Sequence, residues 1–209
     1  SFQHSVSTIS GQATHRLVSA SGSIPENDYF FLRSQSGFQN SAPVIEGFLK
    51  TNTDPSHPFR ILGVDPFAER PFRQFLQQTS TPGIISALLT QPNTILVSKQ
   101  GAEMLNVEKG SEIPILVGSR NVMLNVVGIF NATNDFSAQL LRQMMIMDIS
   151  TAQDLFSMQG KLSRVDLIQK ESYQEIFSGN EFLQGLSQNT KIQSVNESLE
   201  AGERLTRAF

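Results

Sequence analysis

The stretch from Thr94 to Phe130, TILVSKQGAEMLNVEKGSEIPILVGSRNVMLNVVGIF, constrains the fold more than any other part of the chain. It opens on an apolar, β-rich run, Thr94 to Val97. A helix pattern follows, with Ala102, Met104 and Leu105 on its apolar side and Lys109–Gly110 as its stop signal. Two strand-like runs come next, Glu112 to Val117 and Val122 to Phe130. The polar tetrad Gly118-Ser119-Arg120-Asn121 between them is a hairpin signal. The order is therefore strand, helix, turn, hairpin. Gly110 tolerates φ > 0, so a sharp reversal is expected there. Gly128 interrupts a β-branched strand and is expected to mark a bulge or the close approach of another backbone.

Earlier in the chain, Thr14 to Ser19 alternates enough for a strand, and Pro25 suits the first turn of a helix, with Glu26 and Asp28 near its positive end. That helix is expected to reach about Gln35, to bury Phe30, Phe31 and Leu32 in part, and to end at Gly37. Ala42 to Lys50 and Phe59 to Val64 read as strands, the second closed by Asp65-Pro66. A short helix begins near Pro71, with Phe72, Phe75 and Leu76 on one face. Thr79-Ser80-Thr81-Pro82-Gly83 has the composition of a linker and sets the expected subdomain boundary. Asn131 to Leu141 reads as a loop or short helix, Gly179 to Asn189 as a short helix, and Lys191 to Val195 as a strand returning to the first sheet. Val195, Leu199, Gly202, Leu205 and Phe209 then fall at helical spacing, supported by Glu200–Arg204 and Glu203–Arg207 pairs.

Signals for chemistry are sparse. The chain has no phosphate-binding loop, no G-x-S-x-G elbow and no H-E-x-x-H pair. His4, His15 and His57 share no ligand spacing and read as surface or partly buried residues. Asp65 reads as a turn initiator, and Asp148 as part of a helix start capped by Ser150 or Thr151. Asp154 and Asp166 also sit near element ends. Met144, Met145 and Met147 read as core, as do most of the phenylalanines before Leu76. Arg60, Arg70 and Arg73, mixed with Asp65 and Glu69, read as a solvated surface. Cysteine is absent, which excludes disulfides and thiolate chemistry, and the net charge of −3 offers nucleic acid no electrostatic footing. No catalytic, cofactor-binding or metal-ligating residue is assigned, and no cofactor is expected.

The strand ending in Val97-Ser98, the following helix, the Val107-to-Ile113 step and the hairpin closing on Val-Val-Gly-Ile-Phe resemble the extracytoplasmic core domain of MacB-type and FtsX-like ABC transporter permeases. MMIMDISTAQDLF, a strand leading into a helix at Ser150-Thr151-Ala152-Gln153, and GKLSRVDLIQ, a second strand, continue that pattern. The resemblance implies an α+β fold in two subdomains. Residues 1–82 and 170–209 would form a membrane-proximal split sandwich built from both chain ends, and 83–169 an inserted, β-rich distal part with short helices. It implies a non-enzymatic role, coupling ATP-driven membrane-helix motion to export or extraction of a lipid, lipoprotein, peptide or drug, or to an envelope partner. A separate ABC-type ATPase and a permease dimer are the implied partners. No run approaches the roughly 20 apolar residues of a membrane helix and Ser1 to Ser10 has no signal-peptide character. Taken alone that reads as cytoplasmic; under the resemblance, the chain is a periplasmic segment lying between two membrane helices. The alternatives are a free-standing envelope adhesion or assembly module, and a soluble hydrolase.

Overall fold

The computed structural model describes residues 11–35, 38–79, 81–132, 138–139, 141–169 and 184–195. In chain order its strands are β1 (His15–Ser19), β2 (Ile24–Pro25), β3 (Ser41–Leu49), β4 (Phe59–Val64), β5 (Thr94–Ser98), β6 (Glu112–Val117), β7 (Arg120–Phe130), β8 (Met144–Asp148), β9 (Lys161–Leu162), β10 (Arg164–Leu167) and β11 (Thr190–Ser194). Its helices are α1 (Glu26–Ser34), α2 (Gln74–Thr79), α3 (Pro82–Thr90), α4 (Lys99–Leu105) and α5 (Ile149–Leu155). Nine strands form one mixed sheet in the order β11-β1-β10-β3-β4-β8-β5-β7-β6, and β2 pairs with β9 beside it.

The methionine-rich run shows why the sheet is covered on both faces. Alternate side chains of a strand point to opposite faces, and all five residues of β8 are buried. Met145 and Met147 pack on one side with Ile61, Ile95, Val97 and Val165, under Leu32 of α1, Leu105 of α4 and Leu155 of α5. Met144 and Ile146 pack on the other with Leu62 and Leu96, under Leu76 of α2 and Leu88 of α3. A strand apolar on both faces belongs at the centre of such a sheet.

The expected division at Thr79–Gly83 does not occur. Pro82 stands at the start of α3, where its missing N–H costs nothing, so the composition that reads as a linker is a helix start. Within 83–169, β10 lies between β1 and β3 and pairs with both, so that span is interleaved with the early strands rather than set apart. All four residues of β10 are buried, which requires neighbours on both edges. The block that does stay together is shorter: β5 to β8, residues 94–148, fills one end of the sheet and joins the rest through the parallel β4–β8 pair. The late strand does return to the early ones, as β11 pairs antiparallel with β1, His15 opposite Ser194 and Ser19 opposite Thr190. The helix expected beyond Val195, Gly37, residues 133–137 and 140, and residues 179–183 of the expected 179–189 helix lie outside the described residues.

Local chemistry explains the remaining differences. α4 stops at Leu105, earlier than Lys109–Gly110, because Asn106 takes the left-handed conformation at φ 52° and closes the helix. The β6–β7 loop is only Gly118-Ser119, with Val117 opposite Arg120 and Gly118 at φ 60°, the pattern of a II′ turn. At Gly128 the register steps from Ile95–Val126 to Leu96–Gly128, leaving Val127 as the extra residue of a bulge. A Cβ on Gly128 would meet the Leu96 and Ile84 side chains at 2.8 and 3.0 Å, so the close approach is of side chains, not of backbone. The sheet also curls until Thr51, just past β3, bridges Ile115 of β6, which covers part of that edge.

Gly110 makes the predicted reversal at φ 94°, and its N–H donates to the Val126 carbonyl at 2.7 Å. A Cβ there meets open space, so the cost of Gly110→Ala is conformational only, about 1 kcal/mol. A melting temperature lower by about 2–4 °C is expected; an unchanged melt would show that the reversal does not need the left-handed region.

Candidate functional site: an ion network beneath a connector

Period-two alternation along β10 puts Val165 and Leu167 in the first core, so Arg164 and Asp166 face the other side. Arg16 of β1 is the register partner of Asp166. Glu46 of β3, two residues on from Val44, shares that side, and so does Arg60 of β4, two residues before Leu62. Across them runs the connector from Asp65 to Arg73. Asp65 Oδ1 accepts from the Phe67 and Ala68 N–H groups at 2.9 and 3.3 Å, the turn-starting role read from the sequence. The helical turn that follows sets Glu69 and Arg73 four residues apart, side by side.

Asp166 is the hub. Arg73 Nη2 donates to its Oδ2 at 2.8 Å and Arg164 Nε to its Oδ1 at 2.8 Å, with Arg16 Nε 3.3 Å from Oδ1. Arg73 also pairs with Glu69. Arg164 Nη1 continues the chain to Glu46 Oε2 at 2.5 Å, and Arg60 Nε reaches Glu46 Oε1 at 2.7 Å. Asp166 and Glu69 are fully buried and Arg73 is 1% exposed. The sequence reading of Arg73 and Glu69 as a solvated surface is thus corrected; of that group Arg60 and Asp65 are half-buried and Arg70 is exposed. Burial alone raises the Asp166 carboxyl, but Arg164, Arg73 and Arg16 outweigh it and hold it at about 2. Burial likewise opposes ionisation of Glu46, and Arg164 and Arg60 overcome it to lower that carboxyl. At Glu69 burial wins, raising its carboxyl in spite of Arg73. The chemistry here is cohesion: one carboxylate gathers guanidiniums from β1, β10 and the connector.

A smaller polar tie lies on the other side. Asp28 is buried, and accepts from Ser187 N at 3.0 Å, Ser187 Oγ at 2.8 Å and Thr190 Oγ1 at 2.5 Å. It joins α1 to the start of β11.

No protein-family model matches the chain. Along its full length it is 32% identical to part of an uncharacterised ABC transporter permease of Mycobacterium tuberculosis, and it spans about 24% of that protein. Its fold is shared with the extracellular domain of YknZ, a noncanonic ABC-type transporter of Gram-positive bacteria, at TM-score 0.58 and 13% identity over 86% of this chain and 99% of that one. The periplasmic region of MacB from Actinobacillus actinomycetemcomitans matches at TM-score 0.58 and 8% identity, over 96% of this chain and 95% of that one. The chain is an ABC transporter permease domain of the MacB-type fold. The motifs that carry the resemblance fall, in this MacB-type domain, on β5, α4, β6 and β7, then on β8, α5 and β10.

The other candidates of the MacB-type domain scatter. His15 is half-buried with Nδ1 3.0 Å from Thr14 Oγ1, and His57 is exposed beside Asp54, its Nδ1 3.0 Å from the carboxylate. His4 lies outside the described residues, and among the described residues no group of three metal-binding side chains forms. Asp148, not Ser150 or Thr151, caps α5, taking the Ser150 N–H at 3.0 Å. Asp154 is exposed. Phe38, Phe59 and Phe72 are core, whereas Phe30, Phe48 and Phe67 are more than half exposed. Sequence reasoning missed the network because Asp166 and Arg73 are 93 residues apart. The legible signal was Arg164 and Asp166 alternating with Val165 and Leu167 in an otherwise buried strand.

Proposed function

We propose that the domain lies on the outer side of the membrane and acts there as a stiff relay, carrying ATP-driven motion of membrane helices outward to a cargo or an envelope partner. The permease relative and the two transporter-domain folds support the setting. The observation that carries the relay reading is the pairing of β1 with β11, extended by the Val195 N–H donating to the Thr14 carbonyl at 3.0 Å. The chain passes into and out of the described fold at one sheet edge. Displacement of either strand is shared by the other, and Arg16 passes it to Asp166 and the connector. Under this reading an ABC-type ATPase drives the motion, two permease copies act together, and the domain itself turns over no substrate.

The test uses the full permease with its ATPase in lipid nanodiscs. This domain has no native cysteine, so once any cysteine elsewhere in the permease is replaced, spin labels go in singly and as a pair at Ser21 and Ser119, both exposed. The Ser21–Ser119 distance is expected to stay constant between nucleotide states while the Ser119 label moves relative to the bilayer. A change in the internal distance, or a label whose depth ignores nucleotide, would defeat the relay.

A further inference from the structure

The connector that covers the ion network has an outward side too. Phe67 and Arg70 face away from the sheet there, and with Pro82, Ile85 and Leu89 they line an open groove of about 560 Å³. Phe67 is 58% and Leu89 43% exposed. A surface helix ordinarily turns a polar face to water. α3, PGIISALLT, has no charged residue, and it presents Pro82, Ser86 and Leu89 to the groove. Among the described residues Arg70 is the one charged side chain lining it, and its guanidinium lies 5.8 Å from the centroid of the Phe67 ring. Among the described residues no carboxylate pairs with Arg70, although every arginine of the network beneath it has such a partner.

We propose that this groove binds a single-chain anionic amphiphile, its alkyl chain lying along α3 against Phe67, Ile85 and Leu89 and its head group on Arg70. The complementarity is of shape and charge. An apolar trough bordered by a nine-residue helix, about 13 Å long, suits an extended alkyl chain. A single cation at the connector side suits a single anionic head. An apolar surface of a partner protein would instead meet a polar rim on several sides, and among the described residues Ser86 and Thr90 are the only other polar side chains at this groove. The inference stands on the groove alone and does not depend on the relay role.

Calorimetric titration of the chain with octyl, decyl and dodecyl sulfate below their micelle concentrations tests it, with alkyl glucosides of the same lengths as uncharged controls. Affinity for the sulfates is expected to rise about fourfold per added methylene until the groove is filled. Arg70→Gln should weaken sulfate binding about tenfold while leaving the dependence on chain length intact. Leu89→Ser should flatten that dependence. Both positions are exposed, and unchanged melting curves would show that the variants fold. Absence of saturable binding, equal affinity for sulfates and glucosides, or binding that ignores both substitutions would overturn the proposal. Saturable binding of an amphipathic peptide without any alkyl-chain series would assign the groove to a protein partner instead, and would equally overturn it.

Discussion

Asp166→Asn is expected to destabilise the domain by about 3–5 kcal/mol, the range for removing one partner of a buried ion pair. The shape of the side chain is kept, so the loss is one of charge. Arg73, Arg164 and Arg16 then converge on a neutral amide in a region where Asp166 is wholly buried. A fall in melting temperature on the order of 10 °C should follow. The double variant Glu69→Leu, Arg73→Met removes a pair together and leaves Asp166 its other two guanidiniums. It should cost less than Asp166→Asn, because exchange of a whole buried pair for apolar side chains is often close to neutral. If the double variant is the worse of the two, Asp166 is not the hub.

The same residue gives a pH dependence whose sign can be worked out. The folded-state value of Asp166 is about 2, below its ordinary 3.8. A depressed carboxyl contributes stability that is fully present above the unfolded value and lost as pH falls through the folded one. The wild-type chain should therefore lose roughly 2 kcal/mol between about pH 4 and pH 2 through this group. Glu46 is lowered too and adds to that loss. Glu69 is raised, so its contribution has the opposite sign: it is present at low pH and disappears as pH rises through its folded value. Subtracting the Asp166→Asn curve from wild type isolates the Asp166 window; a flat difference across it would contradict the assignment.

Local pattern revealed most of the elements, and long-range pairing revealed almost none of the site. β4 and β6 fall on the expected residues because their alternation and bounding turns are local. β11 was legible as a partner for the early strands because Lys191 to Val195 is β-like and those strands otherwise lack neighbours. β10 was legible as a strand, but not its place between β1 and β3, since nothing in RVDL names its neighbours. That is why the inserted block was drawn to 169 when the strands that stay together end at Asp148. Pro82-Gly83 begins a helix here, and the same dipeptide in a loop is indistinguishable by composition. The groove was invisible for a related reason: Phe67 and Leu89 look like core residues until the connector and α3 are placed.

Gly63→Ala is expected to cost about 2–3 kcal/mol, unusually much for one methyl group, by overpacking the helix against the sheet. Gly63 sits on β4 opposite Met147 of β8, and α5 lies directly on it. A Cβ at Gly63 would stand 2.2 Å from the Ala152 Cβ and 3.3 Å from the Ile45 Cβ. Neither neighbour yields easily. Ala152 is fully buried, Ile45 belongs to the adjacent strand of the same sheet, and α5 is pinned at its start by the Asp148 cap at the end of β8. Relief requires α5 to lift as a unit, which opens the contacts of Ala152 and Leu155 with the first core. The reciprocal change makes the mechanism testable. Ala152→Gly removes the opposing methyl and alone should cost about 1 kcal/mol for glycine in a helix. Combined with Gly63→Ala it moves the methyl across the interface, so the double variant should recover most of the loss and show coupling of at least about 1 kcal/mol in a double-mutant cycle. Simple additivity would mean that α5 shifts freely and that its height above β4 does not depend on Gly63. In that case the sheet would also be a poorer relay, because α5 links β8 to the β9–β10 segment that carries Arg164 and Asp166.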